Sequence, residues 1–128
     1  RRLNSYLVVD EAQNIMKYNF PVLERLLLQG REFGTGVVLS SQYLTHFKTS
    51  EHNYAEPLRT WFIHKVPHVS VNELTSLGLT AATPSQAAEI KNLGLHQAYY
   101  SSLNTAGRFV RGEPFYEYLA DQSDAGLV

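Results

Sequence analysis

Asp10 and Glu11 stand side by side at the end of the apolar run Tyr6-Leu7-Val8-Val9. Two adjacent carboxylates at a strand end can divide a task. Asp10 can hold a hydrated Mg²⁺, a hard cation that takes oxygen ligands and keeps several waters. Glu11 can orient or deprotonate an attacking water. The bland alternative is that the pair caps the next turn, and a two-residue motif often occurs without function. Gln42 closes the next apolar run, Val37-Val38-Leu39-Ser40-Ser41-Gln42. A neutral amide beside a phosphate can hydrogen-bond the terminal phosphate or the water. In isolation, Gln42 reads better as the start of a loop. The matched positions of Asp10, Glu11 and Gln42 make the functional reading the stronger one. Arg31, in Gln29-Gly30-Arg31-Glu32-Phe33-Gly34, offers a planar fork for phosphate oxygens. In a ring of subunits it can serve a neighbour's nucleotide. Equally, it is a cation at a helix C-terminus or a local partner of Glu32.

These residues need elements to place them. Tyr6 to Val9 reads as a strand buried on both faces of a parallel sheet. A polar stretch, Ala12 to Asn19, follows. Pro21 suits a first helical position, Leu23, Leu26 and Leu27 share a face, and Gly34 is a stop. Val37 to Gln42 is a second buried strand, which completes a right-handed βαβ unit. In open α/β sheets ligands collect at the carboxyl ends of the strands, where Asp10, Glu11 and Gln42 fall. Thr45 to Pro57 reads as a loop, and Thr60 to Val66 as a third strand ended by Pro67. Ser70 with Glu73, and Thr83 with Gln86, have capping-box spacing for two short helices stopped by Gly78 and Gly94. Gln97 to Leu103 and Arg108 to Leu119 read as an antiparallel hairpin across the turn Asn104-Thr105-Ala106-Gly107. Residues 121–128 read as a loose tail.

Composition bounds the rest. With 128 residues, 44% hydrophobic and 18% charged, the chain suits one folded domain or a piece of one. A formal charge of −1 excludes nucleic-acid binding through overall basicity. The absence of cysteine excludes disulfides and thiolate chemistry and fits a reducing, cytoplasmic setting. No apolar run is long enough to span a bilayer. The start, Arg1-Arg2-Leu3-Asn4, carries no Met and no signal peptide, so the expectation is a start inside a longer protein.

Taken together, Tyr6 to Asn14, Leu23 to Leu27 and Gln29 to Gln42 resemble the Walker B to sensor segment of HerA/FtsK-type ATPases, with HerA-like helicases the best match. These are hexameric, RecA-like P-loop motors that translocate double-stranded DNA. The resemblance implies an α/β fold: a partial RecA-like, mostly parallel sheet with flanking helices and a C-terminal antiparallel hairpin. It makes residues 1–120 the C-terminal part of the ATPase domain and 121–128 a tail. It implies that Asp10 is the Mg²⁺-associated Walker B acid, Glu11 the catalytic glutamate, Gln42 the polar sensor and Arg31 an arginine acting in trans. The implied cofactors are Mg²⁺ and ATP, and the implied partners are the N-terminal half of the same ATPase, further copies in a hexameric ring, and double-stranded DNA.

One departure limits this. A phosphate cradle needs G-x-x-x-x-G-K-[ST]. The glycine pair at that spacing, Gly107 and Gly112, is followed by Glu113-Pro114. The chain alone is therefore expected to bind ATP poorly, to hydrolyse none, and to expose Leu7, Val9 and Val38 along an unpaired sheet edge. The loop around His46, Lys48 and His52 is a candidate DNA contact. His64 and His68 have the i, i+4 spacing of zinc motifs, but Pro67 breaks any shared helical face. Tyr99, Tyr100, Phe109, Phe115, Tyr116 and Tyr118, beside Arg108 and Arg111, read as core and sheet surface ahead of base stacking. The competing functional readings are a non-enzymatic α/β interaction module and a degenerate ATPase subunit kept for assembly.

Overall fold

The computed structural model describes residues 3–18, 20–103, 105–113, 117 and 119–120. The order of elements is β1 (Ser5–Val9), α1 (Gln13–Met16), α2 (Pro21–Gln29), β2 (Thr35–Leu39), a 3₁₀ turn (Leu44–Phe47), β3 (Thr60–Ile63), α3 (Val71–Ser76), α4 (Pro84–Lys91), β4 (Gln97–Ser102) and β5 (Arg108–Arg111). The architecture is mixed α/β. The described strands form two sheets rather than one mostly parallel sheet. β1 and β2 pair in parallel, Ser5 with Thr35 through Val9 with Leu39. β3, β4 and β5 pair antiparallel in that order. The burial along β3 follows this arrangement. Trp61 and Ile63 are buried while Thr60 and Phe62 are exposed, the alternation of a sheet with one wet face.

β1 and β2 are the βαβ unit read from the sequence. α2 carries Pro21 at its first position and ends at Gly30, earlier than the Gly34 stop. Gly34 instead takes a φ of 70° in the turn that feeds β2. β2 begins at Thr35, not Val37, and Ser40 to Gln42 lie past its end. Leu7 and Val38 are exposed on this pair, whereas Val9 is half-buried against the core. The polar stretch after Asp10 contains α1, whose Met16 is fully buried. The expected loop from Thr45 to Pro57 is partly core: Phe47, Tyr54 and Ala55 are buried. A Lys48–Asn53 bridge closes it, and His52 Nδ1 contacts the Glu24 carboxylate of α2.

Both short helices start where capping residues predict. Ser70 Oγ accepts from the Glu73 amide. At α4 the full capping box forms, with Thr83 Oγ1 accepting from Gln86 N and Gln86 Oε1 from Thr83 N. Gln86 reaches further. Its Oε1 also accepts from the Tyr99 hydroxyl at 3.2 Å, and its Nε2 donates to the Gly107 carbonyl at 3.0 Å. One side chain thus joins the start of α4 to both sides of the β4–β5 turn. Beneath it, Tyr99 packs edge-on against Phe109, and Leu74 and Ile90 are fully buried.

The hairpin's second strand ends at Arg111 rather than Leu119, and residues 117 and 119–120 are helical. Phe115, Tyr116, Tyr118, Asn104 and the tail 121–128 lie outside the described residues. No helix among the described residues is long and apolar enough to cross a membrane.

Candidate functional site at the carboxyl ends of β1 and β2

The parallel register puts the ends of β1 and β2 level, because Val9 pairs with Leu39. The next residues continue the ladder: Ser40 N donates to the Val9 carbonyl at 3.0 Å, and Ala12 N to the Ser40 carbonyl at 2.7 Å. Asp10 and Ser40 therefore sit across from each other on one rim. Ser40 Oγ donates to Asp10 Oδ1 at 2.7 Å, and Glu11 N donates to the same oxygen at 3.0 Å. Both donors use Oδ1 and leave Oδ2 open, on an exposed side chain.

Glu11 is exposed and holds a left-handed φ of 50°. That conformation is uncommon outside glycine and gathers at functional sites. His96 and Leu103 share it, so φ alone does not single out Glu11. Gln42 is exposed and lies two residues past Ser40, within a local turn in which Ser41 Oγ accepts from Tyr43 N and donates to the Tyr43 carbonyl. Asp10, Glu11 and Gln42 thus fall at the same end of the parallel pair.

Arg31 does not join them. It is exposed in the turn that enters β2, at the amino ends of the strands. The two ends are separated by roughly 16 Å of strand at about 3.3 Å per residue. Within one chain Arg31 cannot act on a group held by Asp10. On such a group it could act only from another copy of the chain, and the local readings as a helix-end cation or a partner of Glu32 fit the placement as well.

Chemically, the rim offers one free carboxylate oxygen on Asp10, a second carboxylate on Glu11, an amide on Gln42 and hydroxyls on Ser40 and Ser41. A divalent cation held through water fits an exposed carboxylate with one open oxygen. Among the described residues no three His, Asp or Glu side chains gather as a self-sufficient metal site. Any cation here needs further ligands from water, a phosphate or other polypeptide. Among the described residues no glycine-rich turn supplies amide donors for phosphates at this rim.

The other candidates resolve differently. His52 is engaged with Glu24, and half-buried His46 packs edge-on against Tyr43, so of the three residues suggested for DNA contact only Lys48 is exposed. Tyr99 and Phe109 are a packed pair, and Arg108 lies over the Tyr100 ring at 5.6 Å, which follows the core-and-surface reading. Burial raises the Tyr54 and Tyr99 phenols above the usual value, against backbone hydrogen bonds from Phe20 and Gly107 that pull them down; Glu24 adds to the rise at Tyr54. Sequence reasoning missed Ser40 as the partner of Asp10. Its signal was a hydroxyl placed directly after the apolar run of β2, level with the acid after β1.

A cleft of about 490 Å³ between α4 and the hairpin, and one of about 320 Å³ beside Trp61, are lined by none of Asp10, Glu11 and Gln42. Compared with known protein families and with curated proteins, the chain matches none.

Proposed function

We propose that this chain is the Walker B to sensor part of a ring-forming, HerA/FtsK-type ATPase that moves double-stranded DNA, and that it completes its catalytic site with a phosphate-cradling N-terminal half. The observation that carries this reading is the shared rim: a carboxylate pair and an amide at level ends of two parallel strands, with Asp10 fixed by Ser40. Asp10 would hold Mg²⁺ through water, and the cation would supply charge neutralisation for the phosphates. Glu11 accepts a proton from the attacking water, and Gln42 hydrogen-bonds the terminal phosphate or that water. Arg31 serves the adjacent subunit in the hexamer.

The exposed sheet adds support for a missing partner. Parallel sheets bury both faces under other layers. Here Tyr6 and Val8 are each 66% exposed and Val38 49%, on a sheet to which the described residues supply two strands. More strands and helices of a RecA-like core would cover them.

A second reading, a non-enzymatic interaction or assembly module, draws on the same Asp10 geometry. A carboxylate that accepts from Ser40 Oγ and Glu11 N is also a turn cap. ATP hydrolysis by the intact parent separates the two. Glu11→Gln should abolish turnover there while nucleotide binding persists, and a G-x-x-x-x-G-K-[ST] loop should precede this segment. Unchanged turnover in Glu11→Gln, or a parent without that loop, favours the module.

A further inference from the structure

The cleft of about 320 Å³ beside Trp61 lies between the loop entering β3, the end of α3 and β4. That volume suits a small molecule. Its buried lining is mostly apolar: Ala55, Trp61, Leu77 and Leu79 are each at most 8% exposed, and buried Ser101 spends its hydroxyl on the Thr105 carbonyl. Its exposed lining holds one anion and one cation, Glu56 and Arg59. Neither side chain makes a hydrogen bond or ion pair with any described residue, and the two do not pair with each other.

Opposite charges on one cleft select by charge class. A simple anion is drawn to Arg59 and repelled by Glu56, and a simple cation the reverse. A zwitterion is favoured by both. We propose that the cleft binds a small zwitterion bearing an aliphatic group, of which a free aliphatic α-amino acid is the simplest form. The Arg59 guanidinium is a planar fork that matches a carboxylate, and the Glu56 carboxylate accepts from an ammonium. The aliphatic group covers the remaining exposed edges of Trp61, Leu77 and Leu79. This site is separate from the β1–β2 rim and stands whether or not the ATPase reading does.

Trp61 is the only tryptophan in the chain, so its fluorescence reports the cleft directly. L-Leucine titrated into the chain should give a saturable change in emission at millimolar concentration or below. N-Acetyl-L-leucine lacks the ammonium and L-leucinamide the carboxylate, and each should bind at least about tenfold more weakly. Glu56→Gln should erase the penalty against N-acetyl-L-leucine, and Arg59→Gln the penalty against L-leucinamide. Both residues are exposed, so the variants should fold. Should either fail to fold, the two capped compounds test the same charge selection on the unaltered chain. No saturable change with L-leucine up to about 50 mM overturns the proposal, since that affinity falls below any specific site of this size. Equal binding of all three compounds also overturns it, because the charges would then be solvated and the crevice merely apolar.

Discussion

Tyr99 occupies the space that a side chain at Gly107 would need. A Cβ built on Gly107 would overlap the end of the Tyr99 ring, so the β4–β5 turn closes down directly onto a buried aromatic. Gly107→Ala should therefore force Tyr99 off its rotamer and cost about 1–3 kcal/mol. Urea denaturation would measure it. A change under about 0.5 kcal/mol, the usual scatter of a surface substitution, would mean the turn can lift away.

Alkaline pH should weaken the fold through Tyr54 and Tyr99. Both phenols titrate higher in the folded chain than in the unfolded one, chiefly because burial disfavours the phenolate. The folded state then holds protons that the unfolded state gives up near pH 10, the ordinary tyrosine value. Stability from this source is fully present below that pH and falls as pH rises through the higher folded values. Denaturation midpoints should be level near neutrality, as far as tyrosines contribute, and drop above about pH 10. Tyr54→Phe and Tyr99→Phe should each flatten that drop. An undiminished drop in the double variant would assign it elsewhere.

Asp10→Asn separates the two roles of the rim. An asparagine oxygen can still accept from Ser40 Oγ and Glu11 N, so the turn should survive within about 0.5 kcal/mol. The charge is lost, and with it any hold on a hydrated cation. Under the motor reading, hydrolysis by the intact parent should fall at least about a hundredfold. Under the module reading nothing beyond the small stability change should follow. Thermal melts and phosphate release would be measured on the same substitution.

The His52–Glu24 contact ties the 48–56 segment to α2 and is partly buried, at 20% and 33% side-chain exposure. Such a pair is worth more than a surface bridge, on the order of 1 kcal/mol. A double-mutant cycle with His52→Ala and Glu24→Ala should return a coupling of that size. A coupling near zero would show that Tyr54, which packs beside His52, holds the segment unaided.

Self-association should follow from the open parallel pair. The strands Ser5–Val9 and Thr35–Leu39 carry no charge, proline or bulge to protect their edges. Sedimentation should show mass rising with concentration, and Val8→Lys should reverse it. A monomer at all concentrations would indicate that water is tolerated on this sheet.

The parts legible in the sequence were those set by local rules. The apolar runs Tyr6 to Val9 and Val37 to Leu39 announce the parallel pair, and Ser70, Thr83 and Pro84 announce two helix starts. The level ends of those runs also put Asp10, Glu11 and Gln42 on one side. Arg31 at the opposite end follows from the same topology, although its residue type alone had suggested phosphate. What stayed hidden depends on distant contacts. Tyr54 lies fully buried in a polar, turn-rich stretch, and its hydroxyl accepts from the amide of Phe20, 34 residues away. β3 pairs with β4 rather than extending the parallel sheet, a choice made between partners as far apart as Thr60 and Ser102. No local pattern in either strand announces which neighbour it will take. The Ser40 hydroxyl takes its meaning from the register that sets it beside Asp10.

Gln86 has a consequence for how this half of the molecule opens. Its amide serves a helix start, a phenol and a turn carbonyl together, so none of the three can be released alone without stranding a polar group. In native-state hydrogen exchange, the first turn of α4 and the β4–β5 hairpin should become labelled as a single cooperative block.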